Sequence, residues 1–300
     1  MAYRLRAKEP VSRGLIRAAQ EQIDKALAEI RGSELPGHEK VHQLRKRLKK
    51  LRAVLRLVRP EIGSVYREEN VVFRDLGREF SRRRDARVYL ETLDFLEECV
   101  EDDSVRAAFG SVRDALGDQV EAIREEEAAL DRQLTDAAAF LVEARQRAEA
   151  WPIPDSGFEA VAGGLKKTYG RGRNAYGAAY EDPTAENFHE WRKRVKYHWY
   201  HARLLRNVWP DVMKGYCSAL SGLSDILGRE HDLTVLMAVL TENRKSFENT
   251  RDLQVVLGAA ERNRSRLRRE AAPVGARVYA EKPKRFVRRM GAYWSAWKAE

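Results

Sequence analysis

Apolar residues recur at helical spacing along most of this 300-residue chain. In the segment 41–60 they are separated by alternate steps of three and four residues. The positions are Val41, Leu44, Leu48, Leu51, Leu55 and Val58. Such steps bring side chains to one side of an α-helix, whereas a strand would alternate polar and apolar residues, so this segment is predicted to be helical. Pro60 is expected to end the helix.

The same spacing predicts helices in several other segments. They cover 12–31, much of 64–100, 119–149, 158–180, 184–208, 211–227, 231–248 and 250–271. Asp182 followed by Pro183 predicts a helix start, with aspartate as the N-cap and proline at the first helical position. No segment shows the alternation typical of a strand, so the predicted class is all-α.

A sequence repeat relates the two sides of 151–157, where two prolines and a glycine interrupt the helical pattern. An offset of 147 aligns residues 42–49 with 189–196, and five of the eight positions are identical. The chain is therefore predicted to contain two repeats, 10–150 and 158–272, related by approximate two-fold symmetry. A basic and aromatic tail, residues 273–300, follows the second repeat.

Charge is separated along the chain. The formal net charge is +10 at pH 7, yet residues 94–150 contain 16 acids and 6 bases, which leaves +20 for the remainder. This separation indicates a basic surface with an anionic partner.

Two cysteines, Cys99 and Cys217, and the lack of a long apolar run predict a cytoplasmic chain without a membrane span.

Basic residues form a row beside the apolar side of the helix predicted in 41–60. The row comprises His42, Arg45, Lys49, Arg52, Arg56 and Arg59, and Lys46, Arg47 and Lys50 widen it. The second repeat has a matching row of His189, Arg192, Lys193, Lys196, Arg203 and Arg206. Like charges one turn apart destabilise a helix, so their recurrence in both repeats predicts that the two rows contact one polyanion.

Further basic residues are candidates for the same surface. They are Arg13, Arg17, Arg78, Arg84, Lys166, Lys167, Arg171, Arg173, Arg229 and His231. Arginine grips phosphate with a planar fork and lysine supplies a mobile charge, so the mixture suits a chain of phosphates. Phe188 and Trp191 adjoin the second row and are expected in the core rather than as exposed platforms for bases.

Histidines open both basic rows. His42 and His189 lie in the first turn of their predicted helices, where the helix-end potential and the surrounding cations favour neutral imidazoles. An anion would reverse this preference. We therefore expect both histidines to take up protons on binding, so that affinity rises as the pH falls from 8 to 6.

Motifs for catalysis or metal binding are weak. His38, Glu39 and His42 match the HExxH zinc pattern, but the match stands at the head of a strongly basic helix and lacks a counterpart in the second repeat. His198 and His201 are expected to form interhelical hydrogen bonds rather than to hold a metal ion. No catalytic residue, metal or cofactor is predicted.

The two basic segments resemble a known family. VHQLRKRLKKLRAVLRLVRP and FHEWRKRVKYHWYHARLLRNVWP, each followed by an LG segment, are similar to the CHAD domain, the conserved histidine α-helical domain. The resemblance covers about residues 10–272. It implies two four-helix bundles about a pseudo-two-fold axis, a basic groove that binds inorganic polyphosphate, association with polyphosphate granules, and no catalysis. The implied binding residues are His42, Arg45, Lys46, Lys49, Lys50, Arg52, His189, Arg192, Lys193 and Lys196.

Two other functions stay open on the sequence alone. A basic helical surface could instead bind nucleic acid, which would compete with polyphosphate at matched phosphate concentration. A metallohydrolase or polyphosphatase is the other alternative, and it would shorten the polymer.

The chain departs from the family pattern after Lys196. Tyr197 replaces the basic residue that the resemblance implies there, and this replacement is predicted to weaken the second row.

Overall fold

The computed structural model of the chain describes residues 3–80, 82–124, 127–244, 247 and 250–300, with side chains at all of these except 82–87, 104, 118–124, 127 and 128. The described residues form helices and no strand, which confirms the all-α prediction. The α-helices are α1 (Val11–Arg31), α2 (Gly37–Val58), α3 (Gly63–Glu79), α4 (Arg82–Glu98), α5 (Asp103–Arg106), α6 (Ala108–Arg124), α7 (Glu127–Glu149), α8 (Glu159–Glu181), α9 (Ala185–Leu204), α10 (Pro210–Glu242), α11 (Thr250–Val278) and α12 (Pro283–Ala299). A short 3-10 helix, Arg206–Val208, joins α9 to α10.

One predicted break between helices is wrong. The segments 211–227 and 231–248 were expected as two helices, but α10 runs through both without interruption as far as Glu242. The residues between them include a glycine but no proline, so nothing removes a backbone hydrogen bond. Leu227 and Leu233 continue the buried side of α10 across the expected break.

The two basic helices begin and end at defined signals. α2 ends at Val58, ahead of Pro60, as predicted. The predicted start of α9 is wrong, because Asp182 is the C-cap residue of α8 instead. Thr184 is the N-cap of α9, and its hydroxyl accepts a hydrogen bond of 3.2 Å from the backbone N–H of Asn187.

Two hydrophobic cores hold these helices together. The larger core joins α1, α2, α3 and α7 to α8, α9, α12 and the adjoining ends of α10 and α11. The smaller core joins α4 and α6 to the C-terminal half of α10 and the preceding part of α11. Both cores thus combine helices from either side of 151–157, and Trp151 and Ile153 of that segment are buried. The division into two repeats and their pseudo-two-fold symmetry stay predictions.

The predicted tail, 273–300, is helical and packed. α11 continues through Pro273 to its end at Val278, and α12 packs against α8. The buried residues of α12 are Phe286, Met290, Trp294 and Trp297. The aromatic side of the tail therefore belongs to the larger core. In the part of the chain that the structure describes, no helix is both long enough and apolar enough to cross a membrane.

α2 is packed against several other helices. It contacts α1, α3, α4, α7, α8 and α9. The approach of α8 requires a glycine, because a Cβ at Gly164 would lie 1.8 Å from the carbonyl oxygen of Leu57. Four basic residues of the first row stay partly exposed along α2 and form an uncovered strip: Arg45, Lys49, Arg52 and Arg56. Arg59, the C-cap residue, is buried instead.

Candidate anion-binding site

The uncovered strip of α2 carries four cations. Arg45, Lys49, Arg52 and Arg56 follow steps of four, three and four residues, so they project from one side of the helix. All four are half-buried by the neighbouring helices. The packing of α2 therefore concentrates positive charge in a row of fixed position.

The cations of α9 face those of α2 across two adjoining cavities, of about 400 and 280 Å³. Both cavities are lined by Arg45, Lys49, Arg52, His189, Lys193 and Tyr197. The larger one adds Leu48, Arg56, Phe73, Arg74, Gly77, Arg78 and Arg194, and the smaller one adds Val88, Tyr89, Arg192, Lys196, Tyr200, His231, Asp232 and Val235. We call these two cavities the trench. The predicted basic rows thus line one shared depression, although they are separated by half the chain.

The arginines of α2 bond to neutral groups in the trench. Arg52 donates to the side-chain oxygen of Asn70 through Nε at 3.2 Å, and Arg56 donates to the same oxygen through Nη1 at 3.0 Å. Arg56 also donates to the Tyr66 hydroxyl at 2.7 Å, and Arg45 donates to the carbonyl oxygen of Gly77 at 2.9 Å. The neutral acceptors of Arg52 and Arg56 orient both guanidinium groups without cancelling their charge, as a site for an anion requires.

Electrostatic repulsion is evident at Arg52. Burial, followed by the neighbouring charge of Arg56, lowers the pKa of Arg52, while nearby tyrosines oppose that effect. Tyr197 lies under Arg56, whose guanidinium carbon is 4.2 Å from the ring centroid. This residue therefore supports a trench arginine through a cation–π contact in place of the basic residue expected there.

Carboxylates reach the edges of the trench. Glu190 pairs with Lys193 at 2.5 Å and also with Arg194, and Asp75 pairs with Arg74 at 2.8 Å. Among the described residues that line the two cavities, Asp232 is the one carboxylate. The lining consequently keeps a large excess of positive charge.

The two histidines that were predicted in the first turns of the basic helices lie in the second turns, because α2 begins at Gly37 and α9 at Ala185. Their settings differ. His189 lies in the trench, where burial, followed by Lys193 and Arg192, lowers its pKa. Its Nδ1 is 3.2 Å from Nδ1 of His231 on α10, so one ring donates this hydrogen bond and the other accepts it. His42 is exposed and is not among the residues that line the two cavities.

Three other predicted residues lie beside the trench. Lys46, Lys50 and Arg203 do not line its cavities. Lys46 donates to the side chain of Gln43 at 3.4 Å, and Arg203 lies over the ring of Trp199 at 5.1 Å. Lys50 is only 5% exposed and has Arg203 as a charged neighbour.

The additional candidates divide into three groups. Arg78 and His231 line the trench. Three candidates have interaction partners outside the trench. Arg17 pairs with Glu9 and Glu21, Arg173 donates a hydrogen bond to the Tyr279 carbonyl oxygen, and Arg229 lies over the Phe95 ring. Arg13, Lys166, Lys167 and Arg171 are exposed on α1 and α8, and the side chain of Arg84 lies outside the described residues.

Sequence reasoning missed two contributors from α3. Arg74 lines the trench four residues before Arg78, a spacing that would have placed both on one side of a helix. Asn70, one further turn back, orients both Arg52 and Arg56. Its role left no pattern in the sequence, because a single polar residue has no periodicity to reveal it.

The predicted roles of several aromatic and histidine residues are confirmed. Phe188 and Trp191 are buried in the larger core. The Nε2 atom of His198 lies 2.6 Å from the Tyr216 hydroxyl, and the Nε2 atom of His201 lies 2.8 Å from the Ala53 carbonyl oxygen. The second contact ties α9 to α2 and helps to fix the distance between the two walls of the trench.

A comparison with family models matches residues 16–241 to the CHAD domain. The match covers most of the chain and includes both basic helices, so the chain belongs to the CHAD domain family. A search of curated proteins finds no match.

Proposed function

We propose that this chain binds inorganic polyphosphate in the trench, without chemical change to the polymer. The observation that carries the proposal is the convergence of cations from α2 and α9 on the same cavities. Binding would be mainly electrostatic, with release of the counterions that surround the polymer. Membership of the CHAD family supports this choice of anion, because that resemblance implies a polyphosphate-binding groove.

The lining of the trench favours an unbranched phosphate chain. Flexible lysines and orienting arginines on two facing helices can contact successive phosphates without reading a base. Tyr197 and Tyr200 are the tyrosines of α9 that reach the trench, and Tyr197 is covered by Arg56 while Tyr200 is buried. Tyr200 is therefore closed to a stacking base, and one face of Tyr197 is taken by a cation. Tyr89 of α4, the third tyrosine of the lining, is half-buried.

A competition experiment tests the choice of ligand. Fluorescent long-chain polyphosphate is bound to the protein and displaced by unlabelled polyphosphate, RNA or DNA at equal phosphate concentration. We expect polyphosphate to displace the probe at a much lower concentration than either nucleic acid. Equal displacement by all three would overturn the proposal and favour a general binder of nucleic acid and other polyanions.

A second experiment tests the proposed lack of catalysis. The protein is incubated with long-chain polyphosphate and Mg²⁺, Mn²⁺ or Zn²⁺, and the chain length is followed by gel electrophoresis. We expect no change in length. Shortening that is lost in His42→Ala would show a hydrolase instead.

Binding to the polymer would also direct the protein to polyphosphate granules. A fluorescent fusion of the full chain is expected to co-localise with granules in cells that form them. Co-localisation that persists after the trench cations are replaced would contradict a trench-based mechanism.

A further inference from the structure

Lys50 lies in a second group of cations directly beside the trench. The group contains Lys25 of α1, Lys46 and Arg47 of α2, and Arg203 of α9. The Lys50 amine also lies 5.6 Å from the centroid of the Tyr3 ring, whose hydroxyl donates to the Lys50 carbonyl oxygen at 2.9 Å. A long side chain that is 5% exposed is therefore enclosed by three helices and the N-terminal segment.

The charged groups around Lys50 are unfavourable for an ammonium ion. Burial is the largest cause, and the four neighbouring cations add to it, so the pKa of Lys50 falls to about 7. Glu29 of α1 pairs with Arg47 of this group. Tyr200 also faces the group, but burial raises the pKa of its hydroxyl to about 12 and keeps it neutral.

Tyr200 connects this group to the trench. It lines the smaller cavity, and its charged neighbours include Arg203 and Arg47 on one side and Arg192 of the trench on the other. An anion in the trench would therefore place negative charge close to the group that encloses Lys50. Negative charge at short range favours the protonated amine.

We infer that Lys50 takes up a proton when a polyphosphate chain occupies the trench, so that binding is coupled to pH through this amine in addition to the histidines of the trench. The inference rests on the proposed function, because it needs the anion in the trench. In the free protein the neutral Lys50 amine does not repel the four neighbouring cations. In the complex the protonated amine attracts the phosphate chain. Alkaline conditions weaken binding because the amine must be protonated from a lower proton concentration.

Isothermal titration calorimetry tests the inference on the full chain. Long-chain polyphosphate is titrated at pH 8 in two buffers with different ionisation enthalpies, and the difference gives the number of protons taken up. With a pKa of about 7 in the free protein, the amine is mostly neutral at pH 8, so its full protonation on binding gives an expected uptake of about 0.9 proton by the wild type. The affinity should fall about tenfold from pH 6 to pH 8 through this group.

The matched variant is Lys50→Arg, which keeps a cation that stays protonated at this pH. It should bind polyphosphate at pH 8 with much less proton uptake than the wild type, whereas uptake equal to that of the wild type would overturn the inference. Lys284→Arg is the control, since it makes the same exchange at an exposed position of α12 outside the trench and should leave uptake at pH 8 unchanged. Loss of uptake in this control would also overturn the assignment to Lys50.

A second measurement does not depend on a variant. The lysine ¹³Cε signals of the wild type are titrated with and without polyphosphate, and one signal with a midpoint of about 7 is expected to move to a higher pH when polyphosphate is bound. Binding without any such shift would overturn the inference and leave the proposed function intact. Absence of binding would overturn both.

Discussion

Removal of four trench cations should reduce the salt dependence of polyphosphate binding, and the size of the reduction gives the number of phosphate contacts that are lost. The variant replaces Arg45, Lys49, Arg192 and Lys196 with alanine. Two of these residues lie on each wall, so a polymer that contacts both walls loses contacts on each. The control variant replaces Lys282, Lys284, Arg285 and Arg288 with alanine, which makes the same change in net charge on exposed positions in and beside α12.

The expected magnitude follows from counterion release. For nucleic acids, each phosphate contact adds about 0.7–0.9 to the slope of log affinity against log salt, so loss of four contacts should lower the slope by about 3. Between about 50 and 200 mM salt, the advantage of the wild type over the trench variant should therefore shrink by about 60-fold. The control should keep a slope within about one of the wild type, because distant surface charges are screened.

The assay is fluorescence anisotropy with labelled polyphosphate at four salt concentrations, and circular dichroism establishes that each variant is folded. Arg45 also donates to Gly77, so the trench variant should lose about 1 kcal/mol of stability from that bond. If the control lowers the slope as much as the trench variant does, binding depends on net charge and not on the trench. That result would refute the reasoning.

Three further predictions follow from single residues. Affinity should rise as the pH falls from 8 to 6, and His189→Gln should reduce the rise below pH 7, because burial lowers the pKa of His189 and a bound anion would raise it. Burial lowers the pKa of His198 and His201 to about 3, so the unfolded state binds more protons than the folded state as the pH falls from 6.5 to 3. The free energy of unfolding should therefore decrease by up to about 2.7 kcal/mol per pH unit over this range. Denaturant unfolding at a series of pH values between 6.5 and 3 checks this, and a free energy of unfolding that does not change with pH would contradict it. Gly164→Ala should destabilise the protein by about 3 kcal/mol, because the new Cβ would meet the backbone of α2. Gly177→Ala has open space around its Cβ and should stabilise the protein by about 0.5–1 kcal/mol. Thermal melts in which the two variants have the same stability would contradict the close approach of α8 to α2.

The parts of the fold that could be predicted are those with periodic signals. The apolar steps of 41–60 fix both the helix and its buried side, and Pro60 marks its end. The continuity of α10 could not be predicted, because a glycine in a helix is tolerated when the buried side continues past it. The pairing of α4 and α6 with α10 and α11 in a separate core was equally hidden, since periodicity identifies a buried side but not its partner.

The site was predictable as two rows of cations and not as a three-dimensional lining. The repeat brought Arg45 and Lys49 together with Arg192 and Lys196, and all four line the trench. The same rows could not distinguish Lys50, because its burial depends on contacts with α1, α9 and the N-terminal segment. Charge alone likewise gave no reason to separate Arg17, whose two carboxylate partners lie on its own helix and just before it.

A structure of the chain with a long polyphosphate bound would test the central claim most directly. The account predicts one continuous polymer between α2 and α9, with phosphate oxygens at about 3 Å from side-chain nitrogens of both Arg52 and Lys196. A polymer that lies on the basic side of α12, or that contacts only one of the two basic helices, would contradict it.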